Sequence, residues 1–121
     1  MISPRHLWRW RLLCVLCWSA VLAGIYVPKA VVQPFESGHF DKVLHLGALA
    51  AMVGLARCAL PRFPTWLFWS LAVLLAFALE VLQPIVQSSR AFNGMDVVAN
   101  MVGVMIAALA LWLAGLSRRV V

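Results

Sequence analysis

Charged residues are scarce in this 121-residue chain: they occupy 12% of the positions, and only four of them are acidic. Soluble globular domains carry about 25% charged residues. Hydrophobic residues make up 64% of the chain, and the mean hydropathy is +0.95. This composition excludes an ordinary soluble protein. It predicts a polytopic membrane protein, with room for one domain.

Cysteine is also rare, and its placement argues against a disulfide framework. The three cysteines all fall inside apolar runs. Cys14 and Cys17 have the spacing of a redox motif, but no alternation of strands and helices surrounds them. We therefore interpret both as helix-packing residues.

Patterns for two further classes of function are missing. The formal net charge is +6, yet the basic residues do not form a stripe interleaved with aromatic residues. No nucleic-acid partner is therefore predicted. No serine or cysteine stands beside a base in a recognisable nucleophile arrangement. If the protein is an enzyme, it does not use a familiar nucleophilic triad.

What the sequence does contain is four long apolar runs. A helix of about 20 residues spans the ~30 Å hydrocarbon core of a bilayer. The first run follows a basic segment, a layout shared by signal peptides and first membrane helices. Because no small-x-small cleavage site precedes Pro28, we expect a retained helix. The sequence predicts an all-α, four-helix transmembrane bundle, a single domain over residues 1–121 with helices at about 7–27, 43–60, 66–83 and 96–116.

Individual residues suggest where these helices end and how they pack. Thr65 is a suitable cap for the third helix, and Pro84 is expected to end it. Arg57, near the end of the second helix, is expected to extend its charge to the membrane surface. The second helix is rich in glycine and alanine, so its neighbours are expected to approach it closely.

The distribution of Lys and Arg predicts the orientation, because cytoplasmic flanks retain positive charge during insertion. With four spans, seven basic residues share the side of the two termini and three lie on the other side. Both termini are therefore predicted to be cytoplasmic. The two sets are Arg5, Arg9, Arg11, Arg57, Arg62, Arg118 and Arg119 inside, and Lys29, Lys42 and Arg90 outside.

Polar residues recur at helical spacing near the outer ends of three predicted helices. Residues three or four positions apart share a helix face, and these positions lie only ~4.5–6 Å inside the helix ends. An unpaired carboxylate at that depth is costly, so the three polar faces are expected to turn toward one another. The pairs are Asp41 with His45, Glu80 with Gln83, and Asp96 with Asn100.

Two interpretations of this group stay open. Lys42 and Arg90 could pair with Glu80 and Asp96, and the resulting network could simply fasten the helices together. Alternatively, the same residues could form an outward-facing pocket that binds or transforms a ligand. The position near the membrane surface favours the pocket, because a purely structural clasp does not require access.

The same positions resemble the motifs of the VanZ-like membrane proteins. The resemblance covers roughly residues 40–104. Ser89 stands where this family often has glycine before the arginine. The matching residues are Asp41-Lys42-x-x-His45, Glu80-x-x-Gln83, Arg90, Asp96-x-x-x-Asn100 and Gly103.

The resemblance implies a multi-pass protein of the bacterial cytoplasmic (inner) membrane. The family is named for a member associated with resistance to the glycopeptide teicoplanin. It therefore implies a cell-envelope context, such as envelope homeostasis or antibiotic resistance, and it supplies no reaction.

A binding module for an envelope lipid or a glycopeptide-related ligand is the first prediction. Its partner would be a membrane lipid, in particular an anionic lipid-linked headgroup held by Lys42 and Arg90. The predicted ligand-binding residues are Asp41, Lys42, His45, Glu80, Gln83, Arg90, Asp96 and Asn100.

A membrane-embedded enzyme is the second prediction, with His45 or Glu80 as general base. A structural subunit is the third. Transport would require a homo-oligomer, because the middle of each span lacks charge and four helices leave no room for repeats around a midplane site. The acidic residues and histidines match no standard ligand spacing, so no metal or other cofactor is predicted; the residues considered were His39, Asp41, His45, Glu80 and Asp96.

Overall fold

The computed structural model describes residues 4–26, 39–86 and 91–115, and within them the chain is entirely helical apart from turns and short connectors. All four helices are long and apolar enough to cross a membrane. This confirms the predicted all-α transmembrane class. The helices are α1 (Pro4–Tyr26), α2 (His39–Ala59), α3 (Thr65–Val86) and α4 (Gly94–Leu113).

The helix ends differ from the predictions by a few residues, and one of the differences is informative. Pro84 does not end α3, which continues to Val86. A proline removes the backbone hydrogen bond to the carbonyl four residues earlier, but the residues after it can still donate to their own partners. Pro84 therefore sits inside the last turn of α3.

The bundle is built around α2 and α4, which are the most enclosed helices and make the most extensive contact. Gly103 on α4 allows the close approach. A Cβ atom at this position would lie 2.5 Å from the carbonyl oxygen of Leu46 and 3.0 Å from the Cβ of Leu49. Small residues let transmembrane helices approach in this way.

The apolar core lies between α2, α3 and α4, and α1 packs on its outside. Trp18 of α1 donates a hydrogen bond from its indole nitrogen to the carbonyl oxygen of Met52, at 3.0 Å. Cys14 and Cys17 also pack against the core as free thiols. The buried core residues are Leu49, Met52, Val53, Ala56, Phe68, Ala72, Ala76, Leu79, Val104 and Ala107.

The expectation that Arg57 reaches the membrane surface is wrong, because its side chain is buried. Its guanidinium donates to the carbonyl oxygen of Phe63 at 2.9 Å and to the hydroxyl of Thr65 at 3.0 Å. It also lies over the ring of Phe68, 5.1 Å from the centroid. The connector between α2 and α3 folds over the end of α2, so that Phe63 and Thr65 accept hydrogen bonds from the guanidinium. Arg57 therefore fastens α2 to the start of α3.

Candidate functional site

Five polar side chains from α2, α3 and α4 meet at the end of the bundle opposite Arg57. They come from the start of α2, the last turns of α3 and the first turns of α4. We call this group the polar cluster. Its members are Lys42, His45, Glu80, Asp96 and Asn100.

The start of α4 is fixed by Asn93, which the sequence analysis did not single out. Asn93 has an extended backbone, and its side chain accepts a hydrogen bond from the amide of Met95 at 2.9 Å. This is a helix N-cap, and an Asn before an apolar run signals it in the sequence. The amide of Asn93 in turn donates to Oε1 of Glu80 at 3.1 Å. Glu80 thereby ties the end of α3 to the start of α4.

Asn100 joins three helices and is almost completely buried. Its amide nitrogen donates to the carbonyl oxygen of Ala76 on α3 at 3.0 Å. Its amide oxygen therefore faces Nδ1 of His45 on α2, at 3.3 Å. An amide oxygen can only accept, so Nδ1 is the ring nitrogen that carries the hydrogen in this contact.

The charged members meet around His45. Lys42 donates to Oδ1 of Asp96. The other carboxylate oxygen of Asp96, Oδ2, lies 3.6 Å from Nε2 of His45. Oε2 of Glu80 lies 3.9 Å from Nδ1 of His45. His45 is thus surrounded by two carboxylates and an amide oxygen.

The exposure of the side chains rises across the polar cluster. The side chain of Glu80 is 0% exposed, that of Asp96 9%, that of His45 13% and that of Lys42 32%. Glu80 and Asn100 form the floor, and Lys42 is the most exposed member.

The predicted convergence of three polar faces is present in the structure. Gln83 lies one turn beyond Glu80 on α3, is partly buried and has interactions of its own. The side chain of Asp41 and the whole of Arg90 lie outside the described residues, so their predicted part in the site stays a prediction. Lys42 contacts Asp96, one of the two carboxylates expected to pair with it.

Four apolar helices, with a polar cluster at one end of the bundle, define a polytopic helical membrane protein. The model of the VanZ/LLP1 family matches residues 6–115. The chain therefore belongs to the VanZ/LLP1 family, and the match extends the resemblance seen in residues 40–104 to nearly the whole chain.

Comparison with curated proteins and with solved structures gave no significant match. The fold and the geometry of the polar cluster therefore carry the functional argument.

Proposed function

We propose that this protein binds the polar group of a cell-envelope lipid, or of a glycopeptide-related ligand, at the polar cluster. The observation that carries the proposal is the gradient of exposure from buried Glu80 to accessible Lys42. Charged groups inside a membrane protein are costly and tend to mark functional sites. A network that served only to fasten the helices would not need to include a partly exposed cation such as Lys42.

The chemistry of the more exposed part of the cluster suits an anionic headgroup that also carries hydroxyl or amide groups. Lys42, which is paired with Asp96, supplies a positive charge, and His45 can supply a hydrogen bond. Asp96 can accept hydrogen bonds from ligand donors. This mixture favours a phosphate or carboxylate flanked by sugar or peptide groups, as in lipid-linked envelope components.

We expect the purified protein to retain one class of lipid above its share of the membrane. Asp96→Asn keeps the shape of the side chain and removes the charge that holds Lys42, so retention should fall at least about tenfold. Mass spectrometry of copurified lipids, normalised to the bulk membrane extract, measures this. Ser70→Ala is a matched control, because Ser70 is exposed and bonds only within α3, to Trp66. Equal lipid profiles for the wild type and Asp96→Asn would count against the proposal.

A membrane enzyme is the second candidate, and the position of His45 next to two carboxylates favours it. Histidine and glutamate side chains both serve as general bases. Here His45 or Glu80 would take a proton from the substrate. Incubation with the same lipid extract separates the two functions, since an altered lipid species indicates turnover and an unaltered, enriched species indicates binding.

The proposed ligand lies on the extracytoplasmic side only if both termini are cytoplasmic, as the distribution of basic residues predicts. Green fluorescent protein fused to the C-terminus should then fluoresce, while an alkaline phosphatase fusion at the same position should be inactive. The reverse pattern would place the polar cluster on the cytoplasmic side. The proposed ligand would then be a lipid of the cytoplasmic leaflet.

A further inference from the structure

The polar cluster contains three side chains of the kinds that bind metal ions, although their sequence spacing matches no standard motif. One ligand atom from each of His45, Glu80 and Asp96 lies within 4.8 Å of the other two. Ligands about 2.0–2.2 Å from an ion are at most ~4.4 Å apart. Small rotations of the three side chains are therefore sufficient to bring them around one ion.

The distance between His45 and Asp96 is compatible with two ligands of one ion. Nε2 of His45 lies 3.6 Å from Oδ2 of Asp96. A charge-assisted hydrogen bond would bring these atoms to about 2.7–2.9 Å. Two ligands of a tetrahedral ion, each about 2.1 Å from it, are ~3.4 Å apart. The observed separation is too long for a hydrogen bond and close to that of two metal ligands.

The orientation of His45 also suits a metal ligand. Its Nδ1 faces the amide oxygen of Asn100, and Asn100 is held by its bond to Ala76. A neutral imidazole has one hydrogen, which this contact places on Nδ1, so the lone pair is on Nε2. Metal-binding histidines usually donate their other ring nitrogen in this manner.

In each of the two carboxylates, one oxygen accepts a hydrogen bond and the other faces the ring of His45. Oε1 of Glu80 accepts from the amide of Asn93, while Oε2 lies 3.9 Å from Nδ1 of His45. Oδ1 of Asp96 accepts from Lys42, while Oδ2 lies 3.6 Å from Nε2 of His45.

We propose that His45, Glu80 and Asp96 bind a divalent transition-metal ion, of the Zn²⁺ or Mn²⁺ class. One nitrogen and two carboxylate oxygens favour these ions over Ca²⁺ and Mg²⁺, which prefer oxygen ligands alone. Three protein ligands would leave at least one position open. The link to ligand binding rests on the proposed function: the ion would bind the anionic group of the lipid at that open position.

The test uses the full-length protein, purified through a tag without histidine, stripped with a chelator and titrated with ZnCl₂ or MnCl₂. Elemental mass spectrometry should find about one ion per wild-type chain. His45→Ala should weaken binding at least tenfold. His6→Ala is a matched control, because His6 is exposed on α1; this variant should bind as the wild type does.

The absence of a stoichiometric ion in the wild type would overturn the metal site. So would an equal loss of binding in His45→Ala and His6→Ala. If His45→Ala does not fold, Asn100→Ala replaces it, since it leaves the three ligands in place and removes the partner of Nδ1 together with the bond to Ala76; affinity should then fall about 10–100-fold. Unchanged affinity in Asn100→Ala would contradict the assigned orientation of His45 and with it the site.

Lipid analysis before and after the chelator separates this proposal from the proposed function. A bound ion without an enriched lipid overturns the lipid function and keeps the metal site. An enriched lipid that survives chelation, in a protein without stoichiometric ion, overturns the metal site and keeps the lipid function.

Discussion

Gly103→Ala is expected to lower the free energy of unfolding by about 1–3 kcal/mol, the usual cost of overpacking a tight contact. The new Cβ would lie 2.5 Å from the carbonyl oxygen of Leu46, a backbone atom that cannot move without α2. The two helices with the most extensive contact would have to separate. Thermal unfolding of the purified protein in detergent measures the loss.

Gly54→Ala and Gly47→Ala are matched controls on α2. A Cβ at either position has no neighbouring atom within 4 Å, so neither substitution creates a clash. Alanine is favoured over glycine in a helix by about 1 kcal/mol. Both variants should therefore be as stable as the wild type or more so. If Gly103→Ala behaves as these controls do, the close contact between α2 and α4 is not present in the folded protein in detergent.

Glu80→Gln, at the floor of the polar cluster, is expected to reduce ligand binding without reducing thermal stability. Glutamine keeps an oxygen that can accept from the amide of Asn93, so the start of α4 should stay in place. The variant loses the negative charge, which the proposed site requires for an ion or a ligand donor. We expect lipid retention and metal binding to fall at least about tenfold, with little change in thermal stability.

Glu80→Leu provides the contrast, because leucine also removes the acceptor for Asn93. Loss of this hydrogen bond costs about 0.5–1.5 kcal/mol, so this variant should lose stability as well as binding. A structural clasp predicts another pattern, in which Glu80→Gln loses stability in parallel with function. Comparison of the two variants by thermal unfolding and membrane level decides between a site and a clasp.

Much of the fold could be predicted from hydropathy alone, because each span is long, apolar and bounded by polar residues. The residue at which α3 ends could not be predicted in this way, because whether Pro84 ends the helix depends on where in a helical turn it falls. The buried position of Arg57 also required the structure. Whether an arginine reaches the membrane surface depends on the path of the connector, and that path leaves no periodic signal.

The convergence of the polar cluster was predictable because residues three or four apart share a helix face. The particular hydrogen-bond partners within the polar cluster were not predictable. Lys42 contacts Asp96, and Asn100 reaches the backbone at Ala76. These contacts depend on how each helix is rotated about its own axis, and residue spacing in the sequence does not determine that rotation. Helix two was predicted to permit close approach through its own small residues, yet the glycine at the tightest contact is Gly103 of α4.

The bond between Lys42 and Asp96 links residues that are 54 positions apart. Translation at about 5–20 residues per second separates their synthesis by roughly 3–11 s. During that interval, the newly made α2 carries Lys42 and His45 before Asp96 and Asn100 exist. The helix α4, which is synthesised after α2 and α3, therefore completes the polar cluster, and a nascent chain interrupted before α4 has membrane spans but no assembled site.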